Sequence, residues 1–497
     1  MTLTAGIDAG TQSVKVVIYD DETRRVAASA NAPLELTSGD DGTREQHPDA
    51  WVKAVNDCFN DIDIALRRNV KAIAVSGQQH GLVALDADGE VLAPAKLWCD
   101  TSSAAECVEI TDAVGGSKRC IELVGNPILA GYTASKLPWT RKHRPEAYRQ
   151  LAKILLPHDY LNFWLTGEAF CEYGDASGTG WFDVRRRQWS PALMHAIDPH
   201  RNLMACLPPL VPTESTFLIK EERSKELGLP HDVLVAVGGG DNMMAAIGTG
   251  CVVPGRLAMS LGTSGTLFAY SDTPMVDPAG GWAAFCSSTG GWLPLICTMN
   301  CTVATETIAR LFGFSTQAGD AHIHATAPGA GGLTLLPFLN GERTPDLPHG
   351  KGVLTGWGPH NASAAHFYRA AMEGATFTLK YGYDAFLSAG MKFDHIVLTG
   401  GGAASAAWRQ MVADVFGLPV EVPREAEGAA FGAALQALWA FSNARGEGRT
   451  LPELVNAHVT NDPALTCTPD PGRVEAYREP YQRYLEHLAA VKHLYAE

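Results

Sequence analysis

The chain states one pattern twice, and that repetition limits its possible folds more than any other feature. "AGIDAGTQSVKVVIYD", residues 5–20, reads as an apolar strand, a Gly/Thr/Ser turn and a second strand. "LAMSLGTSGTLFAYSD", residues 257–272, has the same form. Strand, tight polar turn, strand is the signature of a hairpin. An amphipathic stretch follows each hairpin: "HPDAWVKAVNDCFNDIDIALRR" after the first and "AAHFYRAAMEGATFTLKYGYDAFLSAG" after the second. Each then gives way to a buried-strand pattern running into glycine, "KAIAVSGQQHG" and "FDHIVLTGGGAAS". Hairpin, helix, strand and glycine turn, repeated in order, predict two related α/β domains with a ligand cleft between them. Their boundaries are expected at 1–250 and 251–497, with the join near residues 245–256. Residues 471–497 are expected to form a terminal amphipathic helix opened by Pro and Gly.

Bulk composition agrees with that division. At 497 residues the chain exceeds one ordinary hydrophobic core. A formal net charge of -15 argues against a nucleic-acid or anionic-membrane partner. No stretch approaches the roughly 18 apolar residues of a membrane span, and "MTLTAGIDAG" lacks the basic n-region of a secretion signal. Cytoplasm is the expected compartment. The eleven cysteines are scattered, and Cys297 and Cys301 in "CTMNC" lack a second Cys/His pair to complete a zinc site. Reduced thiols are expected.

The turns carry the chemistry. "DAGTQS" and "LGTSG" set small residues and hydroxyls at tight strand connections, where successive backbone N–H groups suit phosphate oxygens. Thr11, Gln12, Ser13, Gly262 and Thr263 are candidate ATP contacts, and Lys15 adds a cation. Asp8, at the strand end, would repel phosphate unless a divalent cation lay between them, which makes it the candidate magnesium partner. No Gly-Lys-Ser/Thr follows either turn, so this is not a Walker loop. In "LTGGGAASAAWRQMVADV", bare backbone at Gly401 and Gly402 suits a flat adenosine moiety, with Ser405 a donor at its edge. The small-residue run "EGAAFGAALQALWA" predicts a tightly packed helix. Finally, "VLVAVGGGDNMMAAIG", residues 233–248, delivers a carboxylate, Asp241, from a buried strand through three glycines.

In this order and spacing, "GIDAGTQSVK", "SLGTSG" and "LTGGGAASAAWRQMVADV" resemble the phosphate and adenosine motifs of the FGGY carbohydrate kinases. "GYTASKLPWTRKH" is similar to that family's internal signature, with Thr140 where an apolar residue is usual, and "KGVLTGWGPHNASAAHFYRAAMEG" resembles the second signature more loosely. The resemblance covers essentially the whole chain. It implies an α/β fold of two ribonuclease H-like (actin-like ATPase) domains, with ATP as co-substrate and Mg2+ as cofactor. It also implies that Asp241 is the general base that takes the proton from the attacking sugar hydroxyl. The glycines before it would let sugar and γ-phosphate approach, and an ordinary carboxylate pKa of about 3.9 would leave it ionised.

"SGQQHGLVALD", "LWCDTSS" and "GGGDN" resemble the xylulokinase branch most. By that resemblance Gln79 and His80 contact the ketose, although methionine is common at the Gln79 position. Asn242 would fix a neighbouring hydroxyl, and Trp98 and Asp100 would stand near the sugar face. The implied reaction is ATP-dependent phosphorylation of a ketose, foremost D-xylulose to D-xylulose 5-phosphate. Ribulose, sedoheptulose or a polyol is the alternative acceptor. A sugar-binding regulator or an assembling ATPase on the same fold is the reading from another class, and the presence of Asp241 argues against it. The partners implied are the sugar and ATP, with a homodimer left open.

Overall fold

The computed structural model describes residues 2–425 and 428–495. They form two compact units. The first comprises residues up to Val252, Ser271–Pro294 and the stretch ending at Val459; the second takes Val253–Tyr270, the stretch starting at Leu295 and the residues after Val459.

In the first unit, β1 (Leu3–Ala9), β2 (Ser13–Asp20) and β3 (Arg25–Pro33) form an antiparallel meander. Beside β1 runs β4 (Val70–Gly77), parallel to it. β5 (Thr216–Leu218) and β6 (Leu234–Ala236) extend the sheet to the order β5-β6-β4-β1-β2-β3, and the two-residue β7 (Gly239–Gly240) pairs with the end of β4. β1 and β4, made mostly of apolar and small residues, are buried along nearly their whole length.

The helix predicted over 47–68 forms as Pro48–Asp61 and then breaks. Ile62 is extended and Asp63 accepts from the Ala65 N–H, starting a separate turn at Ile64–Arg67. Local capping by a short acidic side chain outcompetes continuation of the helix. Trp51, Val55 and Phe59 from the first of these helices pack into the core with Ile7, Val16 and Val75.

In the second unit, β8 (Gly255–Leu261), β9 (Gly265–Ala269) and β10 (Leu295–Thr298) repeat the meander. β11 (Phe393–Thr399) lies parallel to β8 and β12 (Val420–Glu421) parallel to β11, giving the order β10-β9-β8-β11-β12. That is the succession β3-β2-β1-β4-β6 over again, so the duplication read from sequence is a duplication of sheet topology. The helix Ala364–Ser388 precedes β11, as its periodicity predicted. The terminal helix spans Pro471–Val491, with Asp470 as its N-cap.

The small-residue helix Gly428–Ala444 packs within the first unit. A Cβ at Gly6 would fall 1.9 Å from the Ala430 carbonyl oxygen, and one at Gly432 only 1.8 Å from that of Met244. The glycines and alanines therefore serve close backbone approach, clamping this helix onto β1 and onto the helix Asp241–Gly248. Among the described residues, no helix is long and apolar enough to cross a membrane.

Candidate active site

Parallel pairing brings three chain segments of the first unit to one sheet end. Asp8 lies opposite Ser76 and Ala9 opposite Gly77; Ser76 in turn pairs with Gly239 and Gly77 with Gly240. The turn after β1, residues 78–80 after β4 and Asp241–Asn242 after β7 consequently emerge side by side. Carboxyl ends of parallel strands are where such sheets place ligands.

Asp241 opens the helix Asp241–Gly248, and its Oδ1 accepts from the Asn242 backbone N–H at 2.8 Å and from Asn242 Nδ2 at 3.0 Å. The carboxylate keeps some contact with solvent. Its surroundings nevertheless change its chemistry. Burial, with the Asp8 carboxylate as the next cause, pushes the Asp241 pKa up to about 7. The expectation of an ordinary carboxylate pKa is corrected here: burial is a product of the fold, and the charges that add to it, on Asp8 and Asp175, are remote in sequence. Asp8 accepts from Ser76 Oγ at 2.7 Å through Oδ1.

The glycines before Asp241 meet protein rather than open space. Gly238 has φ +70°, and a Cβ there would lie 2.0 Å from the Val75 carbonyl oxygen. One at Gly239 would meet Ser288 Oγ at 2.5 Å and Glu172 Oε1 at 3.2 Å, and one at Gly240 would meet Gln79 Cγ at 2.7 Å. They let β7 lie against β4 and against three buried side chains. The explanation offered by the sequence, room for sugar and phosphate, is replaced by room for Gln79, Ser288 and Glu172.

Gln79 is buried and accepts from Asn242 Nδ2 at 2.9 Å through Oε1. His80 follows with φ +67°, a conformation costly for a residue with a Cβ. Its ring packs between Tyr132 and Phe285, centroids 4.9 and 5.6 Å away, and a Cβ at Gly178 would collide with it. Thr133 Oγ1 donates to the His80 carbonyl, and Lys136 Nζ donates to the carbonyls of Gly131 and Tyr132. The "GYTASK" segment is thus a brace for a strained histidine. Burial, opposed by Asp100, draws Lys136 down to about 7.

Other sequence candidates are committed to structure. Asp100 is wholly buried; its oxygens accept from Lys96 Nζ, the Arg44 N–H, and both the N–H and hydroxyl of Ser102. Trp98 Nε1 donates to Thr11 Oγ1 at 2.9 Å, and that hydroxyl donates to Gln78 Oε1 at 3.0 Å. Gln12 is exposed, Ser13 and Lys15 are partly so, and the Gly10 N–H closes the turn on the Ser13 carbonyl.

In the second unit, β8 and β11 bring the other two turns together, with Ser260 opposite Thr399. The Gly262–Thr263 turn is backed by Cys301 and Thr302, whose N–H groups donate to the Thr263 and Gly262 carbonyls. Gly400 and Gly402 press on Leu261. Gly401 is exposed, and a Cβ there would meet nothing within 4 Å. Ser405 caps the helix Ala406–Phe416 by accepting from the Trp408 N–H, and it donates to Asp320. Its hydroxyl proton is therefore already engaged.

Sequence reading passed over one cluster beside Gln79. His158 Nδ1 lies 2.6 Å from Asp175 Oδ2, and Glu172 accepts from the Gly174 and Asp175 N–H groups and from Ser288 Oγ. The side chains of His158, Glu172, Asp175 and Ser288 are all buried. The available signal was "EYGDASG", a carboxylate among small residues after the manner of "GGGDN".

Comparison with known proteins matches this geometry to a family. Residues 3–248 match the N-terminal domain of the FGGY family of carbohydrate kinases, and residues 257–441 match its C-terminal domain. A xylulose kinase of Haemophilus influenzae is 42% identical over 495 residues, which cover 97% of this chain and 99% of that protein. A xylulose kinase of Streptomyces coelicolor is 41% identical over 441 residues, 88% of this chain and 87% of that one. A crystal structure from Brucella ovis, described as a xyloylose kinase, superposes with a TM-score of 0.91 at 31% identity and covers 99% of this chain and all of its own. With both family domains matched in order on two ribonuclease H-like sheets, the chain belongs to the FGGY family of carbohydrate kinases.

Proposed function

We propose that this sugar kinase transfers the γ-phosphoryl group of ATP to D-xylulose, giving D-xylulose 5-phosphate and ADP, in the cytoplasm. The observation that carries the reading is the Asp241 carboxyl, held at a sheet end beside Gln79, His80 and Asn242 with its pKa raised to about 7. The names of the similar xylulose kinases support the choice of sugar. Eleven free thiols and the use of ATP support the compartment.

Asp241 accepts the proton of the C5 hydroxyl as that oxygen bonds to the γ-phosphorus and the bond to the ADP oxygen breaks. A base near pH 7 holds a proton strongly yet is still largely available at neutral pH, which is the useful compromise for general-base catalysis. Asn242 and His80 offer polar groups to the remaining hydroxyls. Trp98 and Asp100 act behind the site, the one on Thr11 and the other on Lys96. Backbone around Thr11, Gln12 and Ser13, with Lys15, faces phosphate. In the second unit Gly262 and Thr263 do the same, and the open face at Gly401 takes adenosine, with Gly402 packed behind it on Leu261 and Ser405 holding that turn to its helix.

Magnesium fits the donors present. Asp8 and Asp241 lie close enough for one to raise the other's pKa, and no cluster of three or more His, Cys, Asp or Glu ligands occurs among the described residues. One or two carboxylates completed by water and phosphate oxygens is how Mg2+ is usually held. Asp8 would hold it, and when bound it would neutralise charge on the phosphates.

The experiment is an ADP-release assay over ketoses and polyols, with 31P NMR of the product. Fastest turnover with D-xylulose and a phosphate on C5 are expected. Preference for ribulose or sedoheptulose would overturn the sugar assignment, and no sugar-dependent ADP release would overturn the function. Two further results are expected. Because the deprotonated form of Asp241 is the active one, kcat/KM for the ketose should rise about tenfold per pH unit and level off above about pH 7. A flat profile down to about pH 5 would exclude Asp241 as a base of that pKa. Gly401→Val adds a side chain into open space, so folding should be unaffected. The KM for ATP should rise roughly tenfold or more, equivalent to about 1.4 kcal/mol, with the sugar KM unchanged. Equal effects on both would place adenosine elsewhere.

A further inference from the structure

Behind Asn242 the buried polar atoms form a chain with a direction. Asn242 Nδ2 donates both to Asp241 Oδ1 and to Gln79 Oε1. Gln79 Nε2 and Asp175 Oδ1 are a buried donor and a buried acceptor, each without a hydrogen bond of good geometry. Burial raises the Asp175 pKa, while the His158 contact and then the neighbouring Gln79 amide work against that rise. Asp175 in turn holds His158 through Oδ2, and His158 Nε2 lies 3.3 Å from Asp159 Oδ1. Burial alone would lower the His158 pKa, but Asp159 and Asp175 outweigh it and raise it, and the proton of the 2.6 Å contact lies between His158 Nδ1 and Asp175 Oδ2.

With Oδ2 engaged on His158 Nδ1, Asp175 Oδ1 only accepts, whereas an amide presents a donor at one end and an acceptor at the other. Asp175 therefore selects Nε2 as the end of Gln79 that points inward, which leaves Oε1 for Asn242. Asn242 must answer with its Nδ2, and its Oδ1 is left without a protein hydrogen bond among the described residues. We propose that Asp175, backed by His158, is a positioning residue that sets the donor–acceptor direction of the Gln79–Asn242 amide pair, so that Asn242 presents an acceptor to a sugar hydroxyl. This rests on the assignment of the site to a sugar.

Reversal of the polarity is the test. Asp175→Asn keeps the shape but can offer Gln79 a donor, which favours the flipped amide and turns Asn242 around. The ketose KM should rise roughly tenfold, the loss of about one hydrogen bond to a buried partner, with the ATP KM unchanged. Gln79→Glu alone sets two carboxylates against each other and should be at least as harmful. The double variant Asp175→Asn/Gln79→Glu restores the direction: the amide introduced at position 175 would donate to the new carboxylate, which accepts from Asn242 Nδ2. Its ketose KM should return to within about threefold of wild type, a coupling that a double-mutant cycle reads directly. A structural role for Asp175 limited to His158 predicts no such rescue, so a double variant as impaired as Asp175→Asn would overturn the inference. So would an unchanged ketose KM in a folded Asp175→Asn protein. A wild type that phosphorylates no sugar would instead overturn the reading of the site, and this inference with it.

Discussion

Asp241→Asn is expected to lower turnover by about 10²–10⁴-fold while leaving sugar and ATP binding largely intact. Asparagine keeps the size and the polar contacts but cannot take a proton from the attacking hydroxyl. Stopped-assay kcat with calorimetric titration of the sugar separates the two quantities; near-normal turnover would remove Asp241 from the chemistry. The same substitution should stabilise the protein. The carboxyl has a pKa of about 7 in the folded state, above the roughly 3.9 of an unfolded chain. The folded state thus prefers the protonated acid. Its stability relative to the unfolded chain is fully present below about pH 4 and is lost as pH rises through about 7. Replacing the acid by a neutral amide removes that loss, so Tm should exceed wild type above about pH 7 and converge with it near pH 4. A variant less stable at every pH would show that Asp241 is held by contacts rather than strained by charge.

The second large effect is expected far from any titrating group. Gly432→Ala puts a methyl group 1.8 Å from the Met244 carbonyl oxygen and 2.8 Å from the Gly248 nitrogen. Both atoms are backbone of the helix that Asp241 opens, and neither can rotate away. Overpacking of a core typically costs about 1–3 kcal/mol, and a collision between two backbones belongs at or beyond the upper end. Urea unfolding should show that loss. The displacement acts on the helix carrying the candidate base, so kcat should fall in the protein that remains folded. Wild-type stability would mean that the helix Gly428–Ala444 stands off further than these distances state.

Residues at short sequence separation fixed much of this protein. A hairpin is decided by its own turn, so "DAGTQS" and "LGTSG" were legible as turns. Apolar runs of strand length were legible as β1, β4, β8 and β11, and their repeated order announced the doubled topology. A carboxylate at a strand end among glycines marked Asp241 in the same way. Tertiary structure alone decided what those glycines face, since Val75, Glu172 and Ser288 are dozens of residues or more from Gly238 and Gly239 along the chain. It alone showed that Asp100 accepts from the Arg44 N–H, that Ser405 donates to Asp320, and that Gly428–Ala444 packs on β1 of the first unit. The Asp241 pKa belongs with these. Proton affinity depends on how much water is excluded and on which charges stand within a few ångströms, and only chain folding brings Asp8, Asp175 and Asp241 to one sheet end.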